Sequence, residues 1–162
     1  MKYVEVVIET PKGSNIKFDY DVLTGFFKAK KRLHAGLSFP FDFGFIANTK
    51  GEDGDPLDAI VIAEWNSFPG AMYECRIIGA IKAEQKDEKT SKNIRNDRYI
   101  AIPKCSLMFK KIKTLKDLPK DCIEELEFFF ILYNKLDKTK FDILGDMDPK
   151  SASKTIDKYS AE

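Results

Sequence analysis

Residues 114–136 read TLKDLPKDCIEELEFFFILYNKL, and there the hydrophobic period of the chain changes. Ile123, Leu126, Phe129, Phe130 and Tyr133 recur at three- and four-residue intervals, the spacing of one face of a helix. Asp121, shortly after Pro119, suits the N-terminal cap of that helix. The tail DPKSASKTIDKYSAE predicts a second, shorter helix that opens near Asp148-Pro149. Upstream the pattern belongs to strands. YVEVVIE reads as a strand ending near Glu9, PKGSN as a turn, and IKFDYD as a half-buried strand with GFFKAKKRL as its hairpin partner. LDAIVIAEW is a further strand, FPGAMYECRIIGAIKAE one or two more, and RYIAIP a short one closed by Pro103. QKDEKTSKNIRND, polar and charged, is expected to be a flexible surface connection. Strands at close spacing followed by helices predict a mainly β, α+β chain: an antiparallel barrel or curled sheet with two helices packed outside.

At 162 residues one domain over 1–162 is expected, with a proper core. Lysine plus arginine (27) nearly balances aspartate plus glutamate (26), so no overall field favours nucleic acid or membrane. No apolar run is long enough to span a bilayer, and MKYVEVVIET lacks the apolar segment of a signal peptide. Cys75, Cys105 and Cys122 have no metal-like spacing and read as free thiols in a reducing, cytoplasmic compartment. His34 is the one histidine and reads as a surface or packing residue. Metal chemistry must then use oxygen ligands, which points to Mg²⁺ or Mn²⁺.

The candidate for such chemistry is GEDGDPLDAIVIAE, residues 51–64. Asp53 and Asp55 fall on one side of an extended chain, Gly54 allows close approach, and Asp58 can swing back past Pro56. Three carboxylates so close repel and raise one another's pKa values, and a divalent cation removes the repulsion. A solvated loop has the same composition. A calcium loop fits the ends, with Glu64 at its twelfth position, but Leu57 and Asp58 occupy its middle wrongly.

DGDPLD does not stand alone. VVIET, IKFDYD, LSFPFDFGFI, GEDGDPLDAIVI, FPGAMYECRIIGAI, RYIAIP and FFFILYNKLD together resemble, in order and spacing, the soluble inorganic pyrophosphatases of the first family. The resemblance implies a distorted five-stranded barrel of the OB type with flanking helices. It also implies an Mg²⁺-dependent cytoplasmic hydrolase of pyrophosphate, commonly a hexamer in bacteria, with Mn²⁺ as a possible substitute. By the same resemblance Asp53, Asp55 and Asp58 lie at the metal cluster, with Asp55 as the general base. Glu9 is the outer acid with Asp19 nearby, and Lys17, Lys31, Tyr133 and Lys140 face substrate phosphate.

Several positions depart from the family pattern. Phe39 and Phe43 stand where tyrosines are usual, Asp19 where a glutamate is, Lys31 where an arginine is, and Asn134 where a lysine follows the tyrosine. In the longer connection 82–103, Glu84 or Asp87 is expected to replace the first acid of the second metal-binding segment. Asn96 or its neighbour Asp97 takes the second ligand position there, and Arg98 the substrate lysine. A divergent pyrophosphatase is the expected function. A slow or re-targeted phosphohydrolase, an inactive scaffold, and an OB-type nucleic-acid binder using the basic and aromatic stretches are the alternatives.

Overall fold

The computed structural model describes residues 3–87 and 89–160. Nine strands, two α-helices and one 3₁₀ turn occur among them. The elements are β1 (Tyr3–Thr10), β2 (Ile16–Asp21), β3 (Phe26–Arg32), β4 (Asp42–Ile46) and β5 (Asp58–Val61), then β6 (Met72–Lys86), β7 (Asn93–Arg95) and β8 (Arg98–Pro103). The 3₁₀ turn Leu115–Asp117, α1 (Lys120–Leu136), β9 (Phe141–Met147) and α2 (Pro149–Tyr159) complete the order.

The main sheet runs β1-β4-β5-β8-β6, and β1 also pairs with β6. That last pairing closes a five-stranded barrel, which leaves none of those five strands as a free edge. Neighbours are antiparallel except β5 and β8, which run parallel with Ala59 opposite Tyr99 and Val61 opposite Ala101. β6 is the organiser: its 15 residues pair first with β1, then β8, then β9 and β7. β2 and β3 form a separate hairpin.

Side chains of alternating parity divide the core in two. One cluster draws on all five barrel strands, including Val6, Ile46, Ala59, Cys75 and Ala101, and receives Ala152 and Ile156 of α2. The other carries Ile60, Ile62, Ile100 and Ile102 from the same strands to Leu126, Phe129 and Phe130 of α1. The helix stripe read from the period is therefore the stripe that is buried.

Three expectations need correction. Asp121 does not cap α1: Pro119 is the N-cap and Asp121 lies inside the first turn, where its charge still suits the helix dipole. Asp148 does cap α2, accepting from the N–H groups of Lys150 and Ser151 ahead of Pro149. Residues 85–97 are not a loose connection, because β6 runs on to Lys86 and β7 returns beside it, pairing Glu84 with Arg95 and Lys86 with Asn93. Glu88, within that segment, lies outside the described residues. β9, between the helices, has no counterpart in the expected order; its partner is β6, so it is defined by a distant pairing.

Glycine is required where strands meet most closely. A Cβ on Gly44 of β4 would stand 1.9 Å from the Val7 carbonyl oxygen of β1. Backbone cannot yield as a side chain can. Gly44→Ala is expected to cost at least ~1–3 kcal/mol, read as a lower urea midpoint; an unchanged midpoint would show that β1 and β4 can separate freely.

Candidate active site

The acidic loop joins β4 to β5. Thr49 closes its neck: its Oγ1 donates to the Ile46 carbonyl (2.6 Å) and accepts from the Leu57 N–H (3.0 Å). Inside, Gly51 N–H donates to the Asp55 carbonyl at 2.7 Å, and Asp55 N–H donates to Asp53 Oδ1 at 3.0 Å. Gly54 takes a φ of +88° at the tip. Asp53 thus has its orientation fixed by the backbone of Asp55.

Asp58 opens β5 and Arg98 opens β8, and Arg98 Nη1 donates to Asp58 Oδ2 at 2.7 Å. The guanidinium also reaches the Asn96 carbonyl (2.8 Å) and Oδ1 (2.5 Å). It lies 5.1–5.9 Å from the ring centroids of Phe43, Phe130 and Phe141. Arg98 Nε is buried without a hydrogen-bond partner. Phe43 contributes a ring to this cage.

Burial raises the pKa of Asp58, Arg98 and Lys17 pull it back, and Asp55 and Asp19 add to the rise. Asp53 is raised by burial and by Asp58 and Asp55. Asp53 and Asp58 therefore each carry a raised pKa in which their acidic neighbours take part.

The β2–β3 hairpin brings cations to the same place. Lys17 lies 3.2 Å from Asp19, and Lys30 lies 2.6 Å from the other oxygen of Asp19. Burial pushes Asp19 up, but these lysines outweigh it and hold the carboxyl below its ordinary range. Lys31 bonds Asp137, and its Nζ sits 4.3 Å from the ring centroid of Tyr133 on α1. His34 is exposed, 3.8 Å from the same Asp137, in keeping with a surface role.

Lys30 is the residue sequence reasoning missed. Register passes from Lys17 opposite Lys31 to Phe18 opposite Ala29, so Lys30 is the extra residue of a β-bulge. A bulge breaks alternation and re-aims side chains. Its charge interactions with Asp19, Tyr133 and Asp55 place it at the cluster. Glu9 occupies a second bulge, between Ile8 opposite Gly44 and Thr10 opposite Phe43.

Other expected site residues are engaged elsewhere. Asp97 is buried, and its Oδ1 accepts from Ala83 N–H (3.0 Å) and from Arg95 Nε (3.1 Å) and Nη2 (2.8 Å). Glu84 stands across the β6–β7 ladder from Arg95. Asp87 caps its own turn, accepting from Lys89 N–H and Thr90 Oγ1. Lys140 pairs with Asp142 at 3.4 Å, both exposed. Asn134 is buried and donates to the Phe130 carbonyl at 2.7 Å.

Among the described residues no three carboxylate, imidazole or thiol groups converge as a closed metal cage. The donor set nonetheless suits Mg²⁺, which takes one or two carboxylates and fills its remaining positions with water and substrate oxygens. Asp53 and Asp55, exposed at the loop tip and mutually repelling, offer that open arrangement.

Against this geometry, the sequence profile described as Inorganic pyrophosphatase matches residues 6–162. The chain belongs to the inorganic pyrophosphatase family. It is 34% identical to the inorganic pyrophosphatase of Halalkalibacterium halodurans, over 99% of this chain and 94% of that one. It is 37% identical to that of Corynebacterium glutamicum, over 98% and 99%. Among solved structures, the inorganic pyrophosphatase of Helicobacter pylori superposes with a TM-score of 0.88 at 29% identity, covering 98% of this chain and 91% of that one. The inorganic phosphatase of Anaplasma phagocytophilum gives 0.89 at 28%, covering 97% and 91%. The five-stranded barrel with flanking helices is thus the family's fold.

Glu9 gives the site a pH signature. Burial, opposed by the Tyr20 N–H and helped by Asp19 and Asp58, pushes its pKa from 4.5 up to about 7. Between those values the unfolded chain gives up the proton while the folded one keeps it, so stability falls as pH rises through that window. In metal-free protein, Glu9→Gln is expected to remove ~1–3 kcal/mol of that decline, measured by urea unfolding at pH 4.5 to 8. An identical slope in the variant would place Glu9 in ordinary solvent.

Proposed function

We propose that this chain hydrolyses inorganic pyrophosphate to two phosphates, with Asp53, Asp55 and Asp58 as the carboxylates that hold Mg²⁺. The observation that carries the reading is the meeting of this loop with Lys17, Lys30, Arg98 and Glu9 at one end of the barrel, in a chain of the pyrophosphatase family. When bound, a divalent ion neutralises phosphoryl charge and lowers the pKa of water.

The protein's own groups supply the rest. Lys17 and Lys30 both pair with Asp19, two cations on one carboxylate, which leaves ammonium charge to offer phosphoryl oxygens. Lys31 and Tyr133 extend that surface across to α1. Asp55 is exposed at the loop tip, and it orients the attacking water and takes its proton. A new P–O bond forms to that water and the bridging P–O bond breaks. Arg98 lies against Asp58 and Asn96 beside the loop instead of reaching for substrate, its Nη1 donating to both. Asp97 and Glu84 are then structural acids serving Arg95.

Of the lysines that suggested a nucleic-acid surface, those of the β2–β3 hairpin are paired: Lys17 and Lys30 with Asp19, Lys28 with Asp21, Lys31 with Asp137. Pairing removes most of the counterion release on which such binding depends, and favours the small anionic substrate. No helix among the described residues is long and apolar enough to cross a membrane. Cys75, Cys105 and Cys122 are unpaired, which supports the cytoplasm as the working compartment. Exposed Phe68, Met72, Leu107 and Met108 suit a homo-oligomer, for which the family resemblance suggests a hexamer.

Phosphate release from pyrophosphate in Mg²⁺ is expected to fall ~10²- to 10⁴-fold in Asp55→Asn, with Mn²⁺ giving activity as well. Equal rates in the two proteins would end the mechanism. Triphosphate and a nucleoside diphosphate run beside pyrophosphate identify a re-targeted hydrolase, whose preferred substrate would be one of those two.

A further inference from the structure

We infer that Tyr159, the last residue of α2, is a positioning residue for the acidic loop and acts through Glu52; this rests on the reading that the loop holds Mg²⁺. Neither residue belongs to the constellation described above. Glu52 precedes Asp53 and has both carboxylate oxygens engaged. Its Oε1 accepts from Tyr159 Oη at 2.9 Å, across 107 positions of sequence, and its Oε2 accepts from the Arg95 N–H at 3.1 Å, across 43.

The backbone repeats the connection. Lys50 N–H donates to the Tyr159 carbonyl at 2.8 Å, and Thr49 forms an antiparallel bridge with Ser160. A small cavity of about 20 Å³, room for about one water, separates Gly51, Asp53 and Pro56 from Asn96, Tyr99 and Tyr159. The loop therefore rests on the end of α2 and on β7 through these bonds, beside an open, solvent-filled cleft lined by Glu52, Arg95 and Tyr159.

The hold has a firm base. Ala152 and Ile156 bury α2 in the barrel's core cluster. Arg95 is fixed in turn by its guanidinium, which clasps Asp97, itself tied to Ala83 N–H of β6. A chain of contacts thus runs from the core to the residue beside Asp53.

The physical need is plain. Asp53, Asp55 and Asp58 repel one another, and a loop free to move would relieve the repulsion by spreading its carboxylates. A cation would then have to gather them at the moment it binds. Fixing Glu52 from two sides transfers that ordering cost to folding, which raises metal affinity without adding a ligand. Tyr159 affects how much Mg²⁺ the enzyme needs and leaves its chemistry alone.

Tyr159→Phe tests this, because it deletes one hydroxyl and keeps both the ring and the Lys50 N–H bond. Titration calorimetry without substrate is expected to show Mg²⁺ binding ~3- to 10-fold weaker, the effect of one charge-assisted hydrogen bond. The Mg²⁺ concentration for half-maximal pyrophosphate hydrolysis should rise in parallel, with kcat at saturating Mg²⁺ within about twofold of the parent. Glu52→Ala, which also removes the Arg95 N–H contact, should weaken Mg²⁺ binding at least as much, and the double variant no more than Glu52→Ala alone, because the Tyr159 hydroxyl acts only through Glu52. An unchanged Mg²⁺ affinity in Tyr159→Phe, a fall in kcat that excess Mg²⁺ does not restore, or additive effects in the double variant overturns the inference and leaves the Asp55 mechanism standing. A parent protein that binds no Mg²⁺ in the calorimeter overturns both.

Discussion

The ion pair between Asp58 and Arg98 is the contact on which the site's architecture turns. β5 and β8 run parallel in a register that sets Ala59 against Tyr99, so the residues one step earlier open both strands side by side. One is a carboxylate and the other a guanidinium. Each charge would be costly alone: removing one partner of a buried pair typically costs ~3–5 kcal/mol. Phe43, Phe130 and Phe141 give the guanidinium a π-rich seat, so β4, α1 and β9 all pack around a single cation. The barrel's one parallel pairing, the second core cluster and the first carboxylate of β5 meet there.

That arrangement changes what the tyrosine-to-phenylalanine departure means. A tyrosine at position 43 would bring a hydroxyl that has to find a partner in a nearly dry cluster. Phenylalanine needs none and offers its whole face to Arg98, itself a substitute for lysine. Guanidinium stacks on rings and forks to a carboxylate and a carbonyl at once, which an ammonium does less well. Phe43 and Arg98 are physically a matched pair, packed together beside Asp58.

Much of this was legible in the chain. The three- and four-residue spacing around Leu126 and Phe129 fixes α1, the Asp148-Pro149 step starts α2, and DGDP marks the loop because few other compositions turn so tightly with so many acids. What was hidden depends on pairing between distant residues. Lys30 occupies a β-bulge, and a bulge leaves no mark in an alternation pattern; Glu9 occupies another and was reached only through the family resemblance. β9 follows a helix and has a short, glycine-interrupted pattern, so only its alignment on β6 makes it a strand. Asp97 looked like a ligand because its charge was countable, whereas the guanidinium of Arg95, two residues away, was not assigned to it.

The longer connection between β6 and β8 gains a purpose from this. Read as sequence, it is the place where the family's second acidic segment has become irregular. Folded, it extends β6, turns back as β7 and delivers Arg95 to two duties: its guanidinium neutralises Asp97, and its N–H holds Glu52. Asp97 thereby anchors the hairpin whose Arg95 braces the acidic loop. Fewer charged ligands weaken metal binding, and a stiffer loop strengthens it. The two effects act in opposite directions on the same affinity, so a braced loop would offset a sparse set of charged ligands.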